Sequence, residues 1–270
     1  MESDKNSRRK SQGFKKAYGP WALVAGASEG IGAAFAESLA QRGLNLILIA
    51  RRKERLSKFA GELRSKYEIE VEERVADLGD DKSVRTLVSN INREIGLLVY
   101  NAAYSPIGYF KDIPQKDLDA IINVNIRTPL YLLKSLTEPM IERGKGGVIL
   151  MSSLSGTQGS PKIATYAASK SFNTILAEGL WHELKDLHVD VLACVAGAVR
   201  TPGYMSSSDQ KDAPGTLDPN QVAEEALRAL GKSPSVVPGS FNKFAKFIMS
   251  RVLPRKRAIH IMHNNTKDLQ

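Results

Sequence analysis

Cysteine is almost missing from this chain of 270 residues: Cys194 stands alone, so no disulfide can form within it. It sits in the apolar run 189–195, where a buried, inert thiol fits better than a nucleophile. Histidine is nearly as scarce. His182, His188, His260 and His263 show no spacing with cysteine or carboxylates that suits a metal site, and only the last two could share a helix face. No run approaches the roughly 18 apolar residues needed to span a bilayer, and residues 1–16 lack the apolar stretch of a secretory signal. A reducing, cytoplasmic setting is therefore expected. The composition, 42% hydrophobic and 25% charged, is that of an ordinary globular protein. The length suits one large α/β domain.

Acidic residues are also in deficit, 29 against 38 lysines and arginines, which gives a net charge of +9. The excess lies at the ends. Residues 1–20 carry six bases and two acids, while residues 242–257 carry Lys243, Lys246, Arg251, Arg255, Lys256 and Arg257 with no acid. Lys267 and Asp268 cancel, so subtracting these ends from +9 leaves −1 over residues 21–241. A neutral body argues against a basic groove, and no nucleic-acid partner is expected. Two basic ends could still touch an anionic membrane or an acidic partner.

Residues 1–18 are polar and basic and read as a disordered tail, leaving 19–270 as a single domain. Apolar runs at 21–25, 45–50, 70–75, 97–101, 147–152, 189–195 and 235–237 are candidate strands, rich in the residues of strands covered on both faces. Helical stretches at 31–42, 53–66, 82–94 and 166–187 lie between them, with Asp80 or Asp81 as a cap and Gly43 as a stop. This alternation predicts a doubly wound parallel sheet, because parallel strands need crossover helices. Residues 203–217, rich in Ser, Gly and Asp, interrupt the pattern as a loop beyond a strand's carboxyl end, where lids over active sites occur.

Four features carry chemistry. The first βα turn reads Gly26-Ala27-Ser28-Glu29-Gly30-Ile31-Gly32, glycines that let a backbone approach a pyrophosphate at a helix N-terminus. The second strand ends at Ala50-Arg51-Arg52. An acid there would favour NAD, whereas guanidinium suits the 2′-phosphate of NADP(H). Glu29 adds an opposing negative charge. Tyr166 and Lys170 lie four positions apart on one helix face, so the ammonium is expected to lower the phenol pKa and poise it for proton transfer. Ser152 and Ser153 stand upstream, where a strand ends.

These elements resemble the short-chain dehydrogenase/reductase family from about residue 18 to 253. The glycine turn, Asp77-Leu78, Asn101-Ala102-Ala103, Asn125, Ser153 and Tyr166/Lys170 follow in the family's order, and Ser153 precedes Tyr166 by the family's usual interval. The resemblance implies a three-layer Rossmann fold with a seven-stranded parallel sheet and hydride transfer between NADP(H) and a carbonyl/alcohol substrate. It implies Tyr166 as general acid/base, Ser153 as holder of the substrate oxygen, Lys170 on the nicotinamide ribose and Asn125 in support of a relay water. Asp77 and Leu78 would lie by the adenine, Asn101, Ala102 and Ala103 along the adenosine, and Gly197, Val199 and Thr201 by the carboxamide and phosphates. From the residues alone, Asn125 could instead cap or kink its helix, and Ser152 could take the place of Ser153.

Three departures stand out against the family pattern: Ala25 for threonine, Tyr100 and Ala103 around Asn101-Ala102 for asparagine and glycine, and Ala196 for part of a Pro-Gly pair. They bear on cofactor affinity and local rigidity rather than on reacting groups. Similarity at both ends of the match is to reductases of steroids and 3-oxoacyl thioesters. A homo-oligomer, dimer or tetramer, is implied through helices around 115–143 and 160–187. A catalytically silent cofactor sensor or scaffold of the same fold is the alternative. Finally, Phe241, Phe244, Ile248 and Val252 recur at helical spacing among lysines, which suits core packing, a subunit contact or a peripheral membrane surface.

Overall fold

The computed structural model describes residues 11–207, 212–267 and 269. Seven parallel strands form one sheet in the order β3-β2-β1-β4-β5-β6-β7. They are β1 (Trp21–Ala25), β2 (Asn45–Ala50), β3 (Val71–Val75), β4 (Ile95–Tyr100), β5 (Gly146–Ser153), β6 (Val189–Ala196) and β7 (Ser235–Val236). The central strands are apolar throughout because both faces are covered. In β1, Trp21, Leu23 and Ala25 point into one core, and Ala22 and Val24 into the other.

One face is packed by α2 (Gly30–Gln41), α3 (Lys53–Lys66) and α9 (Pro219–Ala229), through Phe35, Leu39, Leu56, Leu63, Val222 and Leu227. The other is packed by α4 (Asp81–Ser89), α6 (Thr128–Arg143) and α7 (Ala164–Glu183). Three layers result. Because the strand order reverses between β1 and β4, the crevice beyond their carboxyl ends is the topological switch point where α/β folds bind ligands.

Some elements differ from the sequence reading. Residues 11–18, expected in a disordered tail, are helical (α1), and Tyr18 is buried, its hydroxyl donating to Asp190 Oδ2 at 2.7 Å. Residues 1–10 lie outside the described residues. The helix expected over 82–94 stops at Ser89: Asp80 caps its start by accepting from the Ser83 amide at 2.9 Å, and β4 already begins at Ile95. As the sheet edge, β3 is not covered on both faces; its Glu72, Glu73 and Arg74 are all in ion pairs. Within the expected 203–217 loop, α8 (Pro202–Ser207) is a short helix, and a Val199–Leu217 bridge closes the loop's base. The remaining elements are α5 (Gln115–Ile121), α10 (Ser240–Phe247) and α11 (Arg255–Thr266), with π-helical turns at Ile122–Arg127 and Ile248–Val252 and 3-10 turns at Phe110–Asp112, Leu154–Thr157 and Lys185–Leu187.

Candidate active site

A cleft of about 600 Å³ opens at the switch point. Its wall begins at the glycine turn. Gly26 adopts φ +81°, and a Cβ there would lie 2.8 Å from the Ala102 amide nitrogen. A Cβ on Gly32 would lie 1.9 Å from the Gly26 carbonyl oxygen, so Gly32 lets α2 seat against the turn without itself lining the cleft. Asn101 fixes the same carbonyl, its Nδ2 donating at 3.0 Å. The α2 N-cap residue, Glu29, makes no side-chain capping bond, which leaves the first-turn amides open to an anion.

Glu29 does not oppose such an anion unchecked. Its carboxylate pairs with Arg52 at 2.6 Å and Arg55 at 2.5 Å. Arg51, exposed in the cleft wall, has no ion pair among the described residues. Ser28, Gly30, Ile31, Asp77, Leu78 and Ala103 line this half as well. Asp77 accepts from the Gly79 amide at 2.9 Å, which shapes the turn after β3. A dinucleotide with a 2′-phosphate fits this donor set: a turn that permits close backbone approach, uncapped helix amides and an unpaired guanidinium.

Ser153, Tyr166 and Lys170 line the same cleft, as do Gly197, Val199 and Thr201, the last against Gly30 of the glycine turn. Ser153 ends β5, and its Oγ accepts from the Ser155 amide at 3.2 Å and the Ser155 hydroxyl at 3.0 Å. With both lone pairs engaged, its own hydrogen is directed elsewhere, and Tyr166 lines the same cleft. Ser152 has a different placement. Its Oγ donates to the Lys170 carbonyl at 2.7 Å and meets Thr174 Oγ1 at 2.7 Å, which ties β5 to α7.

Tyr166 and Lys170 sit one turn apart on α7, with the ammonium 5.5 Å from the ring centre. The expected electrostatics do not follow. Burial pushes the Tyr166 phenol above its ordinary value, against a smaller lowering by the Ser153 hydrogen bond. Lys170, 3% exposed, is itself lowered to about 8 by burial, and it donates to the Met151 carbonyl at 3.0 Å. The spacing brought the two groups together, but desolvation sets their protonation, so Tyr166 holds its proton at neutral pH.

Asn125 is fully buried in the π-turn Ile122–Arg127 and does not line the cleft. Its Oδ1 accepts from the Tyr104 amide at 2.8 Å, and its Nδ2 donates to the Tyr104 carbonyl at 2.9 Å and to Ser169 Oγ at 2.9 Å. It is a positioning residue that fixes the chain after β4 against α7. Tyr100, one of the departures, is buried in β4 and donates to the Val124 carbonyl at 2.5 Å, bracing the same turn. The sequence reading did not single out Ser155; its only signal was a second hydroxyl two positions past Ser153. Pro202 and Tyr204 of α8 also line the cleft, so the loop's first residues belong to the site.

Known proteins resemble this chain in sequence and fold. The family described as short chain dehydrogenase matches residues 20–212. A 7beta-hydroxysteroid dehydrogenase of Mediterraneibacter gnavus is 32% identical over 236 residues, covering 85% of this chain and 90% of the relative. A solved structure from work on 7beta-hydroxysteroid dehydrogenase stereoselectivity superposes with a TM-score of 0.87 at 30% identity, covering 92% of this chain and 98% of the other. A very-long-chain 3-oxoacyl-CoA reductase of Anas platyrhynchos is 31% identical over 258 residues, covering 93% of this chain and 81% of the relative. A short-chain dehydrogenase from Sphingobium yanoikuyae, solved in complex with NADPH, has a TM-score of 0.74 at 28% identity over 81% of this chain and 87% of that one. With the sheet order and the cleft residues already in place, these matches establish that the chain belongs to the short-chain dehydrogenase family of oxidoreductases.

Proposed function

We propose that the protein is an NADP(H)-dependent reductase of an apolar ketone, working reversibly on the corresponding secondary alcohol. The observation that carries this is the Ser153–Tyr166 hydroxyl pair beside Lys170 at one end of a cleft whose other end presents an unpaired Arg51. Burial keeps the phenol protonated, so Tyr166 can donate its proton to a substrate carbonyl oxygen. Ser153, its lone pairs held by Ser155, directs its own hydrogen at the same oxygen and polarises it. Lys170 holds its ammonium at the Met151 carbonyl, one turn from the tyrosine, where it can meet a ribose hydroxyl. When bound, the nicotinamide supplies the hydride.

Arg51 supports NADP(H) over NAD(H), because Arg52 and Arg55 already neutralise Glu29 and leave Arg51 for a 2′-phosphate. Steroid-like or 3-oxoacyl ketones are the substrate class, on the strength of the hydroxysteroid and oxoacyl-CoA relatives. A homo-oligomer belongs to the same proposal. Leu130 on α6 and Ile175 on α7 are 41% and 65% exposed, apolar positions suited to a subunit contact.

The test is oxidation of NADPH by purified protein across a panel of steroid, 3-oxoacyl and bulky ketones. Turnover is expected with at least one substrate, and Tyr166→Phe is expected to lower it by on the order of 10²–10⁴-fold. A Tyr166→Phe variant as fast as the wild type would overturn the assignment. NADPH binding without turnover on the whole panel would favour the silent alternative.

A further inference from the structure

The outer face of α10 and of the turn after it is built unlike the rest of the surface. Phe241, Phe244, Phe247 and Val252 are 53%, 65%, 55% and 57% exposed. At 100° per residue the three rings fall on one side of the helix. None of them anchors it. The inward contact is made by Asn242, which is buried and donates from Nδ2 to the carbonyls of Gly215 at 3.1 Å and Pro238 at 3.2 Å. Core packing of these aromatics, one expectation from the sequence, is therefore not what the fold does with them.

Cations flank the rings along the chain, with Lys246 on the opposite side of α10. Lys243 reaches Glu225 at 3.6 Å, and Arg255 donates to the Thr157 carbonyl at 2.6 Å. Among the described residues, Lys246, Arg251, Lys256 and Arg257 have no acidic partner, and residues 242–257 contain no acid at all. Exposed aromatic rings among unpaired cations match the boundary of an anionic bilayer, where rings enter the acyl region and cations meet phosphate and carboxylate headgroups. A second copy fits worse, because a two-fold contact of this face with itself would set like charges against each other. Among the described residues no helix is long and apolar enough to cross a membrane, so contact would be peripheral.

The helix that carries this face packs from outside against the backbone of the cleft wall, and none of its residues lines the cleft. A Cβ on Gly215 would lie 2.4 Å from Phe241 Cδ1, so Phe241 rests on the backbone of the 203–217 loop. Asn242 packs against Gly197, a residue of the cleft wall, and Arg255 holds the turn that follows Ser153. We propose that this aromatic and basic face docks the protein onto an anionic phospholipid surface on the outer side of the cleft wall. Docking there would hold the cleft near a reservoir of apolar molecules. The lipid contact itself does not depend on which reaction the cleft performs.

The test uses the full chain in flotation with vesicles of phosphatidylcholine alone or with about 30% phosphatidylserine. Binding is expected on the mixed vesicles at low salt, with little on phosphatidylcholine and loss at high salt. Arg251→Glu with Lys256→Glu should weaken it by at least about tenfold, at roughly 1 kcal/mol, or about fivefold, for each cation. Phe244→Ser with Phe247→Ser should weaken it comparably, because these rings carry the insertion. All four positions are surface sites, so the thermal midpoint should be unchanged, and either pair suffices if the other fails to fold. The proposal is overturned by no binding to the mixed vesicles, by equal binding to both compositions, or by undiminished binding of the phenylalanine pair, which would assign the affinity to the basic N-terminal residues. It is equally overturned if, without vesicles, the phenylalanine pair converts an oligomer to a smaller species, since the face would then be a subunit contact.

Discussion

Replacing Lys170 with methionine should make the protein more stable and less active, and the stability gain should fade as pH rises. The ammonium is 3% exposed and has one acceptor, the Met151 carbonyl at 3.0 Å. Burial lowers its pKa from 10.5 to about 8. Lowering by that amount corresponds to on the order of 3 kcal/mol of destabilisation of the folded state when both states are charged. The lost hydrogen bond offsets about 1 kcal/mol of this in the variant. A net gain of about 2 kcal/mol for Lys170→Met at pH 7 follows.

Below pH 8 the folded and unfolded chains both carry the proton, so the penalty is complete. Between about 8 and 10.5 the unfolded chain still holds a proton that the folded chain has released, and wild-type stability rises. Urea denaturation at pH 7 and pH 9.5 reads this directly: the variant should lead at pH 7, and its lead should shrink at pH 9.5. On the proposed function, carbonyl reduction by the same variant should fall by on the order of 10²-fold or more, since the ammonium proposed to meet the ribose is gone. A variant less stable than wild type at pH 7, or a lead that does not narrow with pH, would refute the reasoning.

Other substitutions separate the remaining roles. Arg51→Ala should lower kcat/KM for NADPH by about 10–50-fold while leaving NADH within about twofold, as expected for one partly solvated charge-assisted bond to a phosphate; equal losses with both cofactors would count against a 2′-phosphate contact. Ser155→Ala removes one donor from Ser153 Oγ and should reduce kcat by about 3–10-fold with KM nearly unchanged, with Ser155→Thr recovering most of it. Asn125→Ala leaves the Tyr104 amide and carbonyl and the Ser169 hydroxyl short of a partner, so a loss of about 2–4 kcal/mol is expected in urea denaturation. A loss below about 1 kcal/mol would mean that water replaces the carboxamide without cost.

How much of this could be read from the sequence depended on whether the cause was local. The limits of β1 and β2 were legible because their residues are buried on both faces and flanked by turn glycines or charged helices. The edge strand was legible to within one residue, 70–75 against Val71–Val75, but its exposure was not, because that depends on its place at the sheet edge beside β2, where Val75 remains 53% exposed. The glycine turn was legible because Gly26 and Gly32 have no room for a Cβ. Tyr166 and Lys170 were legible as neighbours, since helix spacing determines proximity. Their protonation was not, because it depends on burial by β5 and the surrounding chain. Asn125 was the hardest to place, as its partners Tyr104 and Ser169 lie 21 and 44 residues away.

That last residue shows how the fold fixes the chain after β4 against α7 through hydrogen bonds. The cleft wall after β4 and the reacting face of α7 belong to elements that strand pairing does not register with each other. The π-turn Ile122–Arg127 inserts between α5 and α6, and its irregular winding lets a carboxamide turn inward. Asn125 then grips Tyr104 at both amide and carbonyl, and it reaches Ser169 Oγ, which in turn donates to the Tyr166 carbonyl at 2.7 Å. Ser152 clamps the Lys170 carbonyl from β5 on the other side. Tyr166 and Lys170 are thus held by their backbones, and the Lys170 ammonium is held in addition at the Met151 carbonyl. The burial that raises the phenol and lowers the ammonium is a consequence of the same closure. The folded state gives up stability at Lys170 to hold a cation one turn from Tyr166 in the wall of the cleft.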